Sequence, residues 1–283
     1  MGSDRAKSPR GADSGVQAPE FAVEDANVLV TGASQGIGQA IAETFAAAGA
    51  DVAICSRSMD RVGPVADEIN EADVPGRAFA TECDVRERED VAAFFAAAAD
   101  ELGGLDIVVN NAGGEFIADF EDISEGGWEA VTDLNLGGTY RCSQVAGEYL
   151  RTSEGGDGGV IINMASVNGQ HAAPGESHYG AAKAGIIRLS ETLATEWASD
   201  GVRVNCIAPG LIQTPGVAET LGIDESDIPE RGETYRRIGY PEEIAALAVF
   251  LGSPAASFVT GETYTAKGVP RPGNSMSNDL GLK

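Results

Sequence analysis

Between residues 26 and 268 the apolar positions follow two alternating rhythms. Short, nearly unbroken apolar runs read as buried strands: "ANVLVTG" (26–32), "DVAICS" (51–56), "GRAFATECDV" (76–85), "LDIVVNNAG" (105–113), "GGVIINMAS" (158–166), "GVRVNCIAPG" (201–210) and "GETYTAKG" (261–268). Helix-period segments lie between them. One follows the first strand and runs through Ala48 to a stop at Gly49, and a second covers Met59 to Glu71. A third lies in "REREDVAAFFAAAADEL" (86–102), and a fourth holds "ESHYGAAKAG" (176–185). A fifth opens on Pro241, "PEEIAALAVFLGS", and ends at Gly252 and Pro254.

Strands that are apolar on both sides are the mark of a parallel sheet covered by helices on both faces. Strand–helix alternation at this spacing predicts right-handed βαβ units and a doubly wound α/β fold. With no internal repeat and no linker, residues 25–268 read as a single domain. Polar tails precede and follow it, 1–24 and 269–283. Residues 211–237 are long, polar and punctuated by Gly and Pro, the profile of a lid or binding loop.

Composition narrows the function. No apolar run approaches 18 residues, so no membrane span is expected. The first 24 residues lack the apolar stretch of a signal peptide, and Ala6 stands where a myristoylation motif wants Ser or Thr. A cytoplasmic protein is the expectation. Cys55, Cys83, Cys142 and Cys206 show no CxxC spacing, which argues for small buried hydrophobes over a zinc site or a disulfide framework. The chain has 44 acidic and 19 basic residues, a net charge of −25, and only four lysines. Such a field repels nucleic acid. It resembles proteins of salt-loving cells, where a Debye length of about 3 Å in molar salt screens self-repulsion. Halophilic adaptation, with salt-dependent structure and activity, is therefore expected.

Candidate chemistry sits at the carboxyl ends of the strands, where such sheets bind ligands. The first strand runs into "TGASQGIGQA", with Gly32, Gly36 and Gly38 placed for close backbone approach and for a helix N-terminus facing a pyrophosphate. No Gly-Lys-Ser/Thr follows, so it is not a P-loop. Arg57 ends the second strand where a dinucleotide site chooses between an acid for a ribose hydroxyl and a base for a 2′-phosphate; it favours NADP over NAD. Asp84 and Val85 close the third strand, and Asn110 to Gly113 the fourth. On the later helix Tyr179 and Lys183 are four apart and share a face, with Cβ atoms roughly 5–6 Å apart.

Together these residues resemble the short-chain dehydrogenase/reductase family over about Ala26 to Gly268. The matching stretches are "TGASQGIG" (31–38), "NNAG" (110–113), "DLNLGGTY" (133–140), "IINMAS" (161–166), "YGAAK" (179–183) and "RVNCIAPG" (203–210), with 13 positions from Ser166 to Tyr179. The resemblance implies a seven-stranded parallel Rossmann-type sheet, usually in homotetramers. It implies hydride transfer between a nicotinamide and a small-molecule ketone or secondary alcohol. Tyr179 would be the proton donor or acceptor. Lys183 would lower its pKa and hold the nicotinamide ribose, Ser166 would bind the substrate oxygen, and Asn135 would hold a relay water. Thr31, Gly32, Ser34, Gln35, Gly36, Ile37 and Gly38 fall where the family grips the dinucleotide. So do Arg57, Asp84, Val85, Asn111, Ala112, Gly113 and Ile212, with Tyr179 and Lys183 themselves.

Two departures stand out. Gln35 occupies a place where many NADP-dependent members carry a basic residue, and "AKGVPRPG" replaces the usual Asp-Gly-Gly run after the last strand. His171 and His178 flank the catalytic segment with no third metal ligand nearby; pocket lining is the better reading, with His171 a candidate substrate contact. Among substrates, a 3-oxoacyl thioester leads, followed by sugars or polyols. "SPAASFVTGE" also resembles dienoyl-CoA reductases, which often lack the tyrosine. The non-enzyme alternative is a dinucleotide-sensing protein.

Overall fold

The computed structural model describes residues 21–151, 158–221 and 237–268. Its strands are β1 (Asn27–Thr31), β2 (Asp51–Ser56), β3 (Ala78–Glu82), β4 (Ile107–Asn110), β5 (Gly159–Met164), β6 (Val202–Pro209) and β7 (Thr263–Ala266). They form one seven-stranded sheet in the order β3-β2-β1-β4-β5-β6-β7, with every pairing parallel. The chain starts in the middle, winds outward to β3, then returns to β4 beside β1. That reversal opens a crevice above the carboxyl ends of β1 and β4.

The strand residues divide by parity, as a pleat requires. Val28, Val30, Val52, Ile54, Ile107, Val109 and Ile162 pack on one side with α1 (Gly36–Ala47), α2 (Met59–Glu71) and α8 (Pro241–Gly252). Leu29, Ala53, Val108, Ile161 and Val204 pack on the other with α3 (Arg88–Leu102) and α5 (Gly138–Leu150). Both faces are dry, which is why the strands carry no polar alternation. Cys55, Cys83 and Cys142 belong to the second layer, and all four cysteines are buried and free.

Helix ends follow local chemistry. α3 stops at Gly103, whose φ of 87° lets its N–H reach the Ala99 carbonyl at 3.0 Å. α8 starts on Pro241, and Glu243 reaches back to accept from the Tyr240 N–H at 2.9 Å. Two helices lie where the sequence pattern predicted none: α4 (Glu125–Thr132) and α5, joined by a π-helical turn over Asp133–Gly137. The glycines in "EGGWEAVT" and "LGGTY" blur the helical period there. α6 (Ser177–Glu196) is the long helix that carries Tyr179 and Lys183. The expected lid contains a short helix, α7 (Pro215–Leu221), and its residues 222–236 lie outside the described residues. So do 1–20 and 269–283 of the expected tails. Among the described residues no helix is long and apolar enough to cross a membrane.

Candidate active site

A cleft of about 920 Å³ runs along the carboxyl ends of the strands, from the β1–α1 turn to the start of α6. At the first end the wall is main chain. Gly32 and Gly36 have φ of 67° and 60°, the left-handed region that favours glycine. A Cβ on Gly38 would lie 2.4 Å from both the Gly32 carbonyl oxygen and Asn111 Nδ2. The turn is clamped to the end of β4. Thr31 Oγ1 accepts from the N–H groups of Asn111 and Ala112, both at 3.1 Å, and Asn111 Nδ2 donates to the carbonyls of Thr31 and Gly32 at 3.0 and 2.9 Å. Thr31 is thus buried beneath the cleft floor, its hydroxyl engaged. Gly32 and Ser34 to Gly38 line the cleft, as do Asn111, Ala112 and Gly113. The first-turn amides of α1 have no intrahelical acceptor, and Gln35 supplies no side-chain cap.

Next along the cleft come Ser56, Arg57, Ser58 and Arg61. The sequence pointed to Arg57; Arg61, one turn into α2, was hidden because only the helix brings it to the same side. Asp84 and Val85 line the adjoining wall. Arg86 grips Asp84 through Nε at 2.9 Å and Nη2 at 2.5 Å and holds its carboxyl below the usual carboxylate range. Ile212 is buried on the roof, paired with Gly239, and Thr214, Gly216 and Val217 close over the glycine turn.

The other end is built from side chains. A buried polar ladder fixes the strands beneath it: Asn110 Nδ2 donates to Ser143 Oγ and Asn163 Oδ1, and Asn163 Nδ2 donates to Ser190 Oγ. Ser166 follows β5, and its Oγ accepts from the Asn168 N–H at 3.2 Å and hydrogen-bonds the Tyr179 phenol. Lys183 is 4% exposed. Its Nζ donates to the Met164 carbonyl at 2.8 Å and stands 5.3 Å from the Tyr179 ring centroid. The i,i+4 pair therefore meets as a cation over a ring, with the ammonium tied to β5. Asn135, in the π-helical turn, is wholly buried. Its Nδ2 donates to the carbonyls of Gly114 and Val131 at 2.7 and 2.8 Å, while Oδ1 has no partner among the described residues. A Cβ on Gly113 would lie 2.6 Å from that Oδ1 and 3.3 Å from Lys183 Nζ. Tyr179, Lys183, Ser166 and Asn135 thus converge on one end of the cleft.

Electrostatics here differ from the sequence expectation. Burial pushes the Tyr179 phenol well above its ordinary range, the Glu115 carboxylate adds to that, and the Ser166 hydrogen bond opposes it. Lys183 was expected to lower it, but burial brings the ammonium itself down to about 8. Two acids missed by the sequence reading share the wall. Glu176 is 3% exposed and accepts from Asn168 Nδ2 at 2.5 Å, and it hydrogen-bonds Glu115. Burial, then Glu176, lifts Glu115 to about 8. The pair is separated by 61 residues and has no local signature. His178 packs edge-on against Phe116 at 4.5 Å, and His171 Nε2 lies 3.3 Å from Lys267 Nζ; neither histidine lines the cleft. Among the described residues no group of three metal-ligating side chains occurs.

The cleft fits a dinucleotide. Cβ atoms on Gly38 and Gly113 would intrude into its walls, free helix amides face one end, and behind the wall of the other lies a buried acceptor with no partner among the described residues. Residues 32–268 match the family model described as "Enoyl-(Acyl carrier protein) reductase". A Bacillus subtilis protein named as a probable 2,4-dienoyl-CoA reductase is 37% identical over 249 residues, 87% of this chain and 96% of that one. D-threitol dehydrogenase of Mycolicibacterium smegmatis is 37% identical over 255 residues, covering 88% and 94%. The crystal structure of a short-chain type dehydrogenase/reductase from Mycobacterium marinum superposes with a TM-score of 0.78 at 34% identity, covering 88% and 96%. The chain belongs to the short-chain dehydrogenase/reductase family of nicotinamide-dependent oxidoreductases.

Proposed function

We propose that the protein interconverts ketones and secondary alcohols, with NADP(H) ahead of NAD(H), as a carbonyl reductase or alcohol dehydrogenase. The observation that carries this reading is the convergence of a half-buried phenol, a hydroxyl and an ammonium at one end of a dinucleotide-sized cleft. When bound, the nicotinamide supplies or takes up the hydride. Ser166 hydrogen-bonds the substrate oxygen where charge develops. Tyr179 gives that oxygen a proton in reduction and removes it in oxidation. Its raised pKa keeps the proton in place at neutral pH, the form that reduction needs. Lys183 spends one N–H on Met164 and has two left for the ribose hydroxyls. Asn135 Oδ1 holds a water beside it.

Gly32 to Gly38 and the α1 amides hold the pyrophosphate. Arg57, with Arg61 beside it in the cleft wall, accepts a 2′-phosphate, and the neighbouring acid Asp84 is engaged by Arg86. The family habit makes a homotetramer the expected assembly, which light scattering can test.

The deciding experiment is coenzyme oxidation by NADPH and NADH against acetoacetyl-CoA, simple ketones, a dienoyl-CoA and sugars, with wild type and Tyr179→Phe. Wild type is expected to reduce ketones, and Tyr179→Phe to lose 10²–10⁴-fold, on the order of a positioned acid, while still binding NADPH. Equal rates in the variant would remove Tyr179 from the chemistry. Tight coenzyme binding with no turnover of anything would mark a sensing protein.

A further inference from the structure

Glu115 and Glu176 have no part in the chemistry above, yet both line the cleft beside Tyr179, with Ile117 next to them. Glu176 is buried and fixed by Asn168, so its position does not depend on a ligand. Glu115 sits at the mouth, exposed as a residue but with its carboxyl end turned in against Glu176, to which it is hydrogen-bonded. Two carboxyls in contact share one proton, leaving the pair with one negative charge and acceptor oxygens toward the cleft. The main chain independently holds the two segments together: the Ala118 N–H, three residues after Glu115, donates at 3.0 Å to the carbonyl of Gly175, the residue before Glu176.

The reacting oxygen meets donors: the Tyr179 phenol, the Ser166 hydroxyl and Lys183. The wall beside it offers acceptors. A molecule that satisfies both presents an accepting carbonyl oxygen and, on the adjacent carbon, a donating hydroxyl. We propose that Glu115, backed by Glu176, is a specificity-determining residue that accepts a hydrogen bond from this neighbouring hydroxyl, so that the substrate is a vicinal diol or the corresponding α-hydroxy ketone. The inference rests on the reading of Tyr179 as the proton-transfer group, because that reading places the reacting oxygen. A carboxylate or phosphate at the same place would meet the pair's negative charge and be disfavoured. The raised pKa of Glu115 fits a proton kept on Glu115 at neutral pH.

The test uses matched pairs that differ by one hydroxyl: hydroxyacetone against acetone for reduction, and 2,3-butanediol against 2-butanol for oxidation. Wild type should favour the hydroxylated member by about tenfold or more in kcat/KM, mostly through KM, as expected for a hydrogen bond to a charged group. Glu115→Ala should erase the preference, lowering kcat/KM for the hydroxylated member by about 10–100-fold and leaving its partner within about threefold. Glu115→Gln keeps an acceptor oxygen and should recover part of the preference, which a merely structural role would not produce. A wild-type preference below about twofold, or an equal loss for both members in Glu115→Ala, overturns the inference. If acetone and acetoacetyl-CoA are turned over without any hydroxyl preference, the inference falls and the oxidoreductase reading stands. If no alcohol or ketone is turned over, the oxidoreductase reading falls and the inference falls with it.

Discussion

At the β1–α1 end of the cleft the ligand-facing wall is main chain, whereas at the β5–α6 end it is ionisable side chains. Gly32, Gly36 and Gly38 act by what they lack, and the Thr31–Asn111 clamp holds their backbone still. The result is an array of amides whose charge does not depend on pH. At the other end Glu115, Glu176 and Lys183 each alter the protonation of a neighbour, and Tyr179 is among the groups they act on. The first end is a rigid receptacle that binds by shape. The second is a balance of charges that performs and selects chemistry. Substitutions should therefore fail in different ways at the two ends: sterically at one, by changed titration and selectivity at the other.

At the main-chain end the largest effect is expected from Gly38→Ala. Its Cβ would stand 2.4 Å from the Gly32 carbonyl oxygen and from Asn111 Nδ2, so the clash is with backbone and with the clamp itself. Overpacking of this kind costs about 1–3 kcal/mol, and dinucleotide affinity should fall by more than tenfold, which is about 1.4 kcal/mol. Thermal melting and a fluorescence titration with NADPH would measure both. Gly126→Ala is the control, since nothing lies within 4 Å of that Cβ. Affinity retained in Gly38→Ala would show that the turn can relax, and the contrast between the two ends would lose its steric half.

A smaller effect is expected from Arg57→Ala. Arg57 is exposed, so solvent weakens its hold on a 2′-phosphate. The ratio of kcat/KM for NADPH over NADH should drop by about tenfold, near the low end for a hydrogen bond to a charged group, and turnover with NADH should not change. A preference left intact would transfer the role to Arg61. This substitution touches charge at the shape-reading end, and so tests whether that end is as insensitive to side chains as its glycines suggest.

The two ends were also unequally legible in the sequence. Glycine in a strand–turn–helix setting states a backbone requirement locally, and α2 falls on Met59–Glu71 as its period predicts. Tyr179 and Lys183 were visible because one helix face carries both. The alternation of apolar runs was enough for the sheet, since parallel strands dry on both faces leave little else for such runs to be. α4 and α5 were not visible, because Gly126, Gly127, Gly137 and Gly138 interrupt the apolar period and tertiary packing alone holds the segment helical. The π-helical turn that delivers Asn135 shares that cause. Arg61 and the Glu115–Glu176 pair were hidden for a different reason. Their proximity is created by the fold, across α2 in one case and between the β4 loop and α6 in the other.

The smallest effect, a shift in a pH profile, tests the charge balance most directly. The Glu115 carboxylate raises the pKa of both Tyr179 and Lys183. Oxidation needs the phenol to give up its proton. Above about pH 8, where Glu115 is ionised, Glu115→Gln removes a negative charge that penalises phenolate, so the pH at which oxidation of a simple secondary alcohol rises should move down by a fraction of a unit. Stability should respond with its own sign. Glu115 titrates near 8 in the folded protein against an ordinary carboxyl value near 4.5, so between those values the folded state binds the extra proton. The stabilisation is complete below the ordinary value and is lost as pH rises through about 8. Glu115→Gln should flatten that part of the melting-temperature profile while leaving the acid side nearly unchanged. A pH–rate profile shifted upward instead would mean that Glu115 acts on Tyr179 by holding it in place and not by its charge.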